Sequence, residues 1–276
     1  MEKICIVFCE GQHDIAFVSR VLKVNGYSGY DKKIKQFVKP FDTLFKRQLE
    51  DKKVSDRKLG YNPDYRLPSV SLCRDEERLV FFHNMGGDGK ATERAKLISM
   101  YKNIKGEDDF TAGFSFDFRF LFLFDSDDHG VDTRIQELNT ELQFNNIIEN
   151  GKLVEHEGHE WGAYIFHSTD NGKGDLEDII IDIVSTTEPS ILGQSRTFLD
   201  NNTLPSERTK EFVCTNTETS YKPSIKYKHK KSLLSVAGQL QFSGMSNAVF
   251  IANSDFLTLN ELTNNEHCSR IANLFV

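Results

Sequence analysis

The sequence predicts an α/β domain whose sheet is largely parallel and flanked by helices. Two observations predict it. Short apolar, β-prone runs recur at 3–9 (KICIVFC), 78–84 (RLVFFHN), 118–124 (FRFLFLF) and 161–167 (WGAYIFH). They are unbroken rather than alternating, as suits strands buried on both faces of a parallel sheet. Each is followed by a turn-forming stretch and then a segment of helical spacing or composition, and this β-α alternation is the signature of the class.

In the first unit, EGQHD follows the strand, and Ile15, Val18 and Leu22 then recur at helical spacing until Gly26 offers a stop. Residues 28–78 do not continue the alternation. Phe37, Phe41 and Phe45 fall at every fourth position, but Pro40 interrupts them, and KLGYNPDYRLPS is rich in turn formers. The segment reads as an insertion on the surface of the domain. After the second strand, MGGDGK is a Gly-rich turn leading into a helix. The third strand ends abruptly in DSDDHG, before a predicted helix over 131–144. After the fourth, STDNGKG turns into LEDIIIDIVS, a helix by context. The last hundred residues read as mostly helical and polar. The division is thus a domain over 1–185 carrying the 28–78 insertion, and a helical extension over 186–276 packed on it.

Composition narrows the class. The chain has 276 residues, 38% of them apolar and 22 of them Phe, enough for a substantial core. No run approaches the length of a membrane span, and the N-terminal apolar run lacks a signal cleavage site. The five cysteines, Cys5, Cys9, Cys73, Cys214 and Cys268, are odd in number and include no CxxC pair. This argues against a disulfide framework and for a reducing cytoplasm. Cys5 and Cys9 share one face of a strand and read as small buried apolar groups. The net charge of −7 does not mark a nucleic-acid binder, but two basic islands stand out. Residues 32–58 hold ten Lys/Arg against four Asp/Glu, and 222–231 hold five Lys and no acid. Lysines there could track a phosphate backbone, while phenylalanines at fourth positions read as packing residues.

Functional groups of an open parallel sheet gather at the carboxyl ends of its strands. Glu10 ends the first strand, and Asp125 and Asp127 follow the third. These carboxylates converge on one rim, although 115 residues separate Glu10 from Asp125. Converging carboxylates repel unless a cation neutralises them. Mg²⁺ (or Mn²⁺) accepts one or two carboxylates with water and phosphate oxygens. In DSD both aspartates can reach one ion while Ser126 points away. Asp14 lies one helical turn beyond Glu10, as a group that orients it, as a ligand to a second ion, or as a charge favoured by the helix N-terminus.

Other motifs carry less. MGGDGK lacks the Walker A pattern because Ala91 follows Lys90. A tight turn with Gly86 or Gly87 at positive φ is expected there. His156 and His159 do not form the order HExxH and read as part of a loop. No Ser-His-Asp or Cys-His order emerges.

The segments CEGQHDIAF and FLFDSDDHG resemble the Toprim fold shared by topoisomerases, primases and nucleases of the overcoming-lysogenization-defect type. A narrower likeness runs over nearly the whole chain, through Gly86-Gly87, Gly174-Asp175-Leu176-Glu177-Asp178 and Lys230-Lys231. It is similar to the small Toprim-related proteins called domain of unknown function 3226, and to Toprim effectors of ATPase-linked phage-defence pairs. The resemblance implies that Glu10 does acid–base work, that Asp125 and Asp127 hold the metal, and that Glu177 and either Lys230 or Lys231 complete a two-metal site. It further implies a nuclease acting on DNA or RNA, with a partner ATPase; a homo-oligomer is compatible with the sequence, which does not set the oligomeric state. The competing expectation is a non-catalytic binding or regulatory module. The 28–78 insertion departs from a minimal Toprim unit.

Overall fold

In a computed structural model, which describes residues 3–50, 67–75, 77–87, 89–105, 116–205, 207–214, 219–223 and 229–276, the strand–helix alternation is explicit. The first half contains β1 (Lys3–Cys9), α1 (Gln12–Val24), β2 (Ser28–Gly29), α2 (Phe41–Glu50), β3 (Val70–Arg74), β4 (Arg78–Asn84) and α3 (Ala91–Lys102). The centre contains β5 (Asp117–Asp125), α4 (Val131–Glu141), β6 (Leu153–His156), β7 (His159–Phe166), α5 (Leu176–Thr187) and α6 (Pro189–Asn201). The remainder contains β8 (Lys210–Cys214), β9 (Thr219–Pro223), α7 (His229–Gly238), α8 (Asn247–Asn253), α9 (Leu259–Asn264) and α10 (Glu266–Asn273).

Seven strands form one sheet in the order β2-β3-β4-β1-β5-β7-β6. Its inner four, β4, β1, β5 and β7, are parallel. The outer strands pair antiparallel. The chain is therefore α/β with a mostly parallel mixed sheet. β1 is the central strand and is flanked by β4 and β5, so its carboxyl end lies in the middle of the rim.

The period-2 geometry of a strand sends alternate side chains to opposite faces, and each face is covered. Cys5, Val7 and Cys9 point into a core with Phe17 and Val21 of α1 and Ile179 and Ile183 of α5. Ile4, Ile6 and Phe8 point into the other, with Phe41 and Phe45 of α2, Leu97 of α3 and Leu138 of α4. The unbroken apolar runs are thus explained by burial on both sides. Cys5 and Cys9 are buried free thiols, and burial pushes the Cys5 thiol up to about 11.

The 28–78 segment differs from the expected surface insertion. β3 is a sheet strand, and Phe41 and Phe45 are fully buried. Pro40 does not interrupt a helix; it precedes one, its carbonyl accepting the Leu44 N–H at 2.9 Å. Proline is well tolerated at a helix start because no backbone donor is needed there. The part of this segment over 51–66, with its basic residues, lies outside the described residues. The predicted helix over 131–144 ends at Glu141, and Gln143 takes a positive φ of 58°.

The last ninety residues share a core with the first ones. Leu192, Leu233, Phe250 and Ile271 belong to the same cluster as Val7 and Phe17. They also include a two-stranded hairpin, β8–β9, where helix was expected. Among the described residues no helix is long and apolar enough to cross a membrane.

Candidate functional site

The rim at the carboxyl ends of β1 and β5 gathers most of the expected residues. Glu10 follows β1 directly. Its Oε1 accepts the backbone N–H of Asp125 at 3.0 Å, so the two acidic segments meet. The loop after β4 laces onto the same place: Met85 N–H bonds the Cys9 carbonyl and Gly87 N–H the Glu10 carbonyl, each at 2.9 Å. Gly86 and Gly87 both take positive φ, at 70° and 120°, as the tight turn requires.

Asp14 sits in the first turn of α1, where its Oδ2 accepts the Gly11 N–H at 2.8 Å. It is a capping group and also part of the acidic cluster. Burial pushes its carboxyl up to about 7. The Gly11 N–H opposes this shift, the charges of Glu10 and Glu177 add to it, and Lys231 opposes it. Asp125 is raised well above the usual carboxylate range by burial and by the charges of Asp14 and Glu10. Its Oδ1 accepts the Leu176 N–H at 2.8 Å, which joins the end of β5 to the start of α5.

Glu177 lies in the first turn of α5, nearly sealed from solvent. Its Oε1 meets His13 Nδ1 at 2.8 Å and Lys231 Nζ at 3.5 Å. Burial works against its charge, but the His13 hydrogen bond and Lys231 outweigh it and hold the carboxyl below its usual value. Lys231 in turn stays charged: burial disfavours the ammonium, but Glu177, Asp125 and Asp14 raise its pKa. Lys230 faces elsewhere, donating to Asp175 at 3.2 Å and Asp178 at 2.6 Å. Of the two lysines, Lys231 is the one that faces the acidic cluster.

Asp127 is placed differently from its partner in DSD. It is exposed, takes a left-handed φ of 47°, and bridges through its backbone to Gly174. The buried Ser126 between them donates to the Gly174 carbonyl. The turn therefore sends Asp125 inward and Asp127 outward. His156 and His159 flank a tight β6–β7 turn at Glu157 and Gly158.

Two members of the site were not anticipated. Arg134 of α4 reaches Glu10 Oε1 with Nη2 at 3.2 Å and donates from Nε to the Asp125 carbonyl at 3.0 Å. His13 lies inside EGQHD itself, beside an acid already singled out. Arg134 is the one basic residue of its helix, a weak signal that only the folded contact makes specific. Among the described residues, no three His, Cys, Asp or Glu side chains stand as a ready coordination shell. The acceptors Glu10 Oε1, Asp14 Oδ2 and Asp125 Oδ1 are each engaged by a hydrogen bond. No family model, curated protein or solved structure matches the chain.

Proposed function

We propose that the chain is a Mg²⁺- or Mn²⁺-dependent phosphodiesterase acting on nucleic acid, with the rim of Glu10, Asp14, Asp125 and Glu177 as its centre. The observation that carries this reading is the meeting of Glu10 and Asp125 across 115 residues of sequence. The donor chemistry fits a hard divalent ion. All four groups are carboxylates, and burial, with the neighbouring carboxylates adding to it, raises Asp14 and Asp125, a cost that a bound cation would offset. In this reading Glu10, Asp14 and Asp125 would hold the ion. Glu177 fixes Lys231, whose ammonium meets a substrate phosphate. Asp127 lies at the outer lip of the site, where substrate enters. A bound divalent ion supplies Lewis-acid activation of a phosphodiester and of a water. The buried thiols fit a reducing, cytoplasmic setting. ATP hydrolysis is assigned to a partner protein, since the Gly-rich turn lacks the Walker A residues.

The test is cleavage of single- and double-stranded DNA and RNA by the purified chain with Mn²⁺ or Mg²⁺. Cutting should vanish in Glu10→Gln and Asp125→Asn while the circular-dichroism spectrum is kept. Cutting that persists in both variants contradicts the assignment.

One observation favours a second reading, a binding module without turnover. Arg134 already supplies a positive charge to Glu10. That reading expects nucleic acid to be retained by the chain and left intact with every divalent metal.

A further inference from the structure

The contacts of Arg134 bear on how the rim is loaded. Its guanidinium is mostly buried, and its partners include Glu10 Oε1 at 3.2 Å, the Asp125 carbonyl at 3.0 Å and Glu137 Oε2 at 2.9 Å. Two of these are at the centre of the acidic rim. The third is one turn along its own helix and nearly half exposed. The same Glu10 oxygen that Arg134 holds also accepts the Asp125 N–H. A carboxylate oxygen with two donors has little capacity left for a further cation.

Glu177 is held by other groups. It has His13 and Lys231, which come from α1 and α7. Arg134 is a cation in direct contact with Glu10. Guanidinium is a permanent charge, so pH does not remove it.

We propose that Arg134 is a resident countercharge that competes with a divalent cation for Glu10, so that loading of the rim requires the guanidinium to leave that carboxylate. This rests on the metal reading above and adds a regulatory step to it. Glu137 gives the displaced guanidinium a partner already in contact, so the exchange needs a side-chain rotation and no unfolding of α4. Because coupling between two ligands of one site is reciprocal, removing the positive charge must tighten metal binding. A residue that only orients Glu10 has the opposite effect, because a disordered Glu10 binds an ion less well.

The experiment is a Mn²⁺ titration of the full chain, followed by the electron paramagnetic resonance of the free ion. It compares wild type, Arg134→Lys, Arg134→Gln and Arg134→Met. Gln keeps a donor for the Asp125 carbonyl without the charge, so it serves if Met fails to fold. The neutral variants are expected to bind Mn²⁺ at least about fivefold more tightly than wild type, and Lys to stay near wild type. Unchanged or weaker binding in the folded neutral variants, with binding in wild type, overturns the competition alone. Absence of binding in every form overturns the metal reading and the competition with it. Binding by the neutral variants but not by wild type supports the competition in its strongest form.

Discussion

Glu10 Oε1 accepts the backbone N–H of Asp125 at 3.0 Å, which fastens the end of β1 to the end of β5. Glu10→Gln keeps an acceptor oxygen for that N–H and loses the charge. Its urea midpoint is expected to shift only slightly, by about 1 kcal/mol or less in stability. Glu10→Ala leaves the Arg134 guanidinium without this carboxylate and is expected to cost more, about 2 kcal/mol. Equal losses in the two variants would contradict the arrangement.

Glu177 is sealed between His13 and Lys231. Glu177→Ala removes the carboxylate from the His13 ring and the Lys231 ammonium at once. A loss of about 2 kcal/mol or more is expected by chemical denaturation. Lys231→Met should recover part of that loss in the double variant, as coupled residues do. Additive effects would show that the two groups do not act together.

Asp127 is exposed at a left-handed φ of 47°. Asn is tolerated in that conformation and Val is not. Asp127→Asn should stay within about 0.5 kcal/mol of wild type, whereas Asp127→Val should lose about 1 kcal/mol. Mn²⁺ affinity should fall less in Asp127→Asn than in Asp125→Asn. A larger fall in Asp127→Asn would move the centre of the site outward.

His267 of α10 is buried, with Nδ1 2.6 Å from the Tyr164 hydroxyl of β7 and its ring 4.9 Å from that of His167. Burial holds its pKa down to about 4 from 6.5; His167 adds to this, Glu266 opposes it and Arg270 adds to it. The unfolded chain therefore takes up this proton first. Stability from this group is complete above about pH 6.5, is lost as pH falls from there towards 4, and levels off below. The loss is on the order of 2 kcal/mol. His267→Gln should flatten that window in a pH series of urea midpoints, and an unchanged slope would contradict the assignment.

The apolar runs of β1, β4, β5 and β7 made the sheet legible, because strands buried on both faces must be apolar throughout. The edges were harder. VSLCR of β3 is short and only partly buried, and its neighbours are turn formers, so nothing local marks it as a strand. The every-fourth Phe pattern does mark packing residues, whereas Pro40, which in the sequence suggests a break, stands at a helix start. The β8–β9 hairpin was missed because KEFVC and TSYKP are short and mixed in polarity. At the site, Glu10, Asp14 and Asp125 were legible from strand ends and helical spacing. The inward turn of Asp125 against the outward turn of Asp127 was not, since it depends on the backbone bridge to Gly174. The contacts of Arg134 to Glu10 and of His13 to Glu177 span 124 and 164 residues, and no local pattern encodes them.

The central claim is that the rim between β1 and β5 holds a divalent cation. Anomalous scattering from a crystal soaked in Mn²⁺ tests it most directly. The account predicts a peak bounded by carboxylate oxygens of Glu10, Asp14 and Asp125 at about 2.1 Å. An ordered rim with no peak, or a peak confined to Asp127 and Asp128, would contradict it.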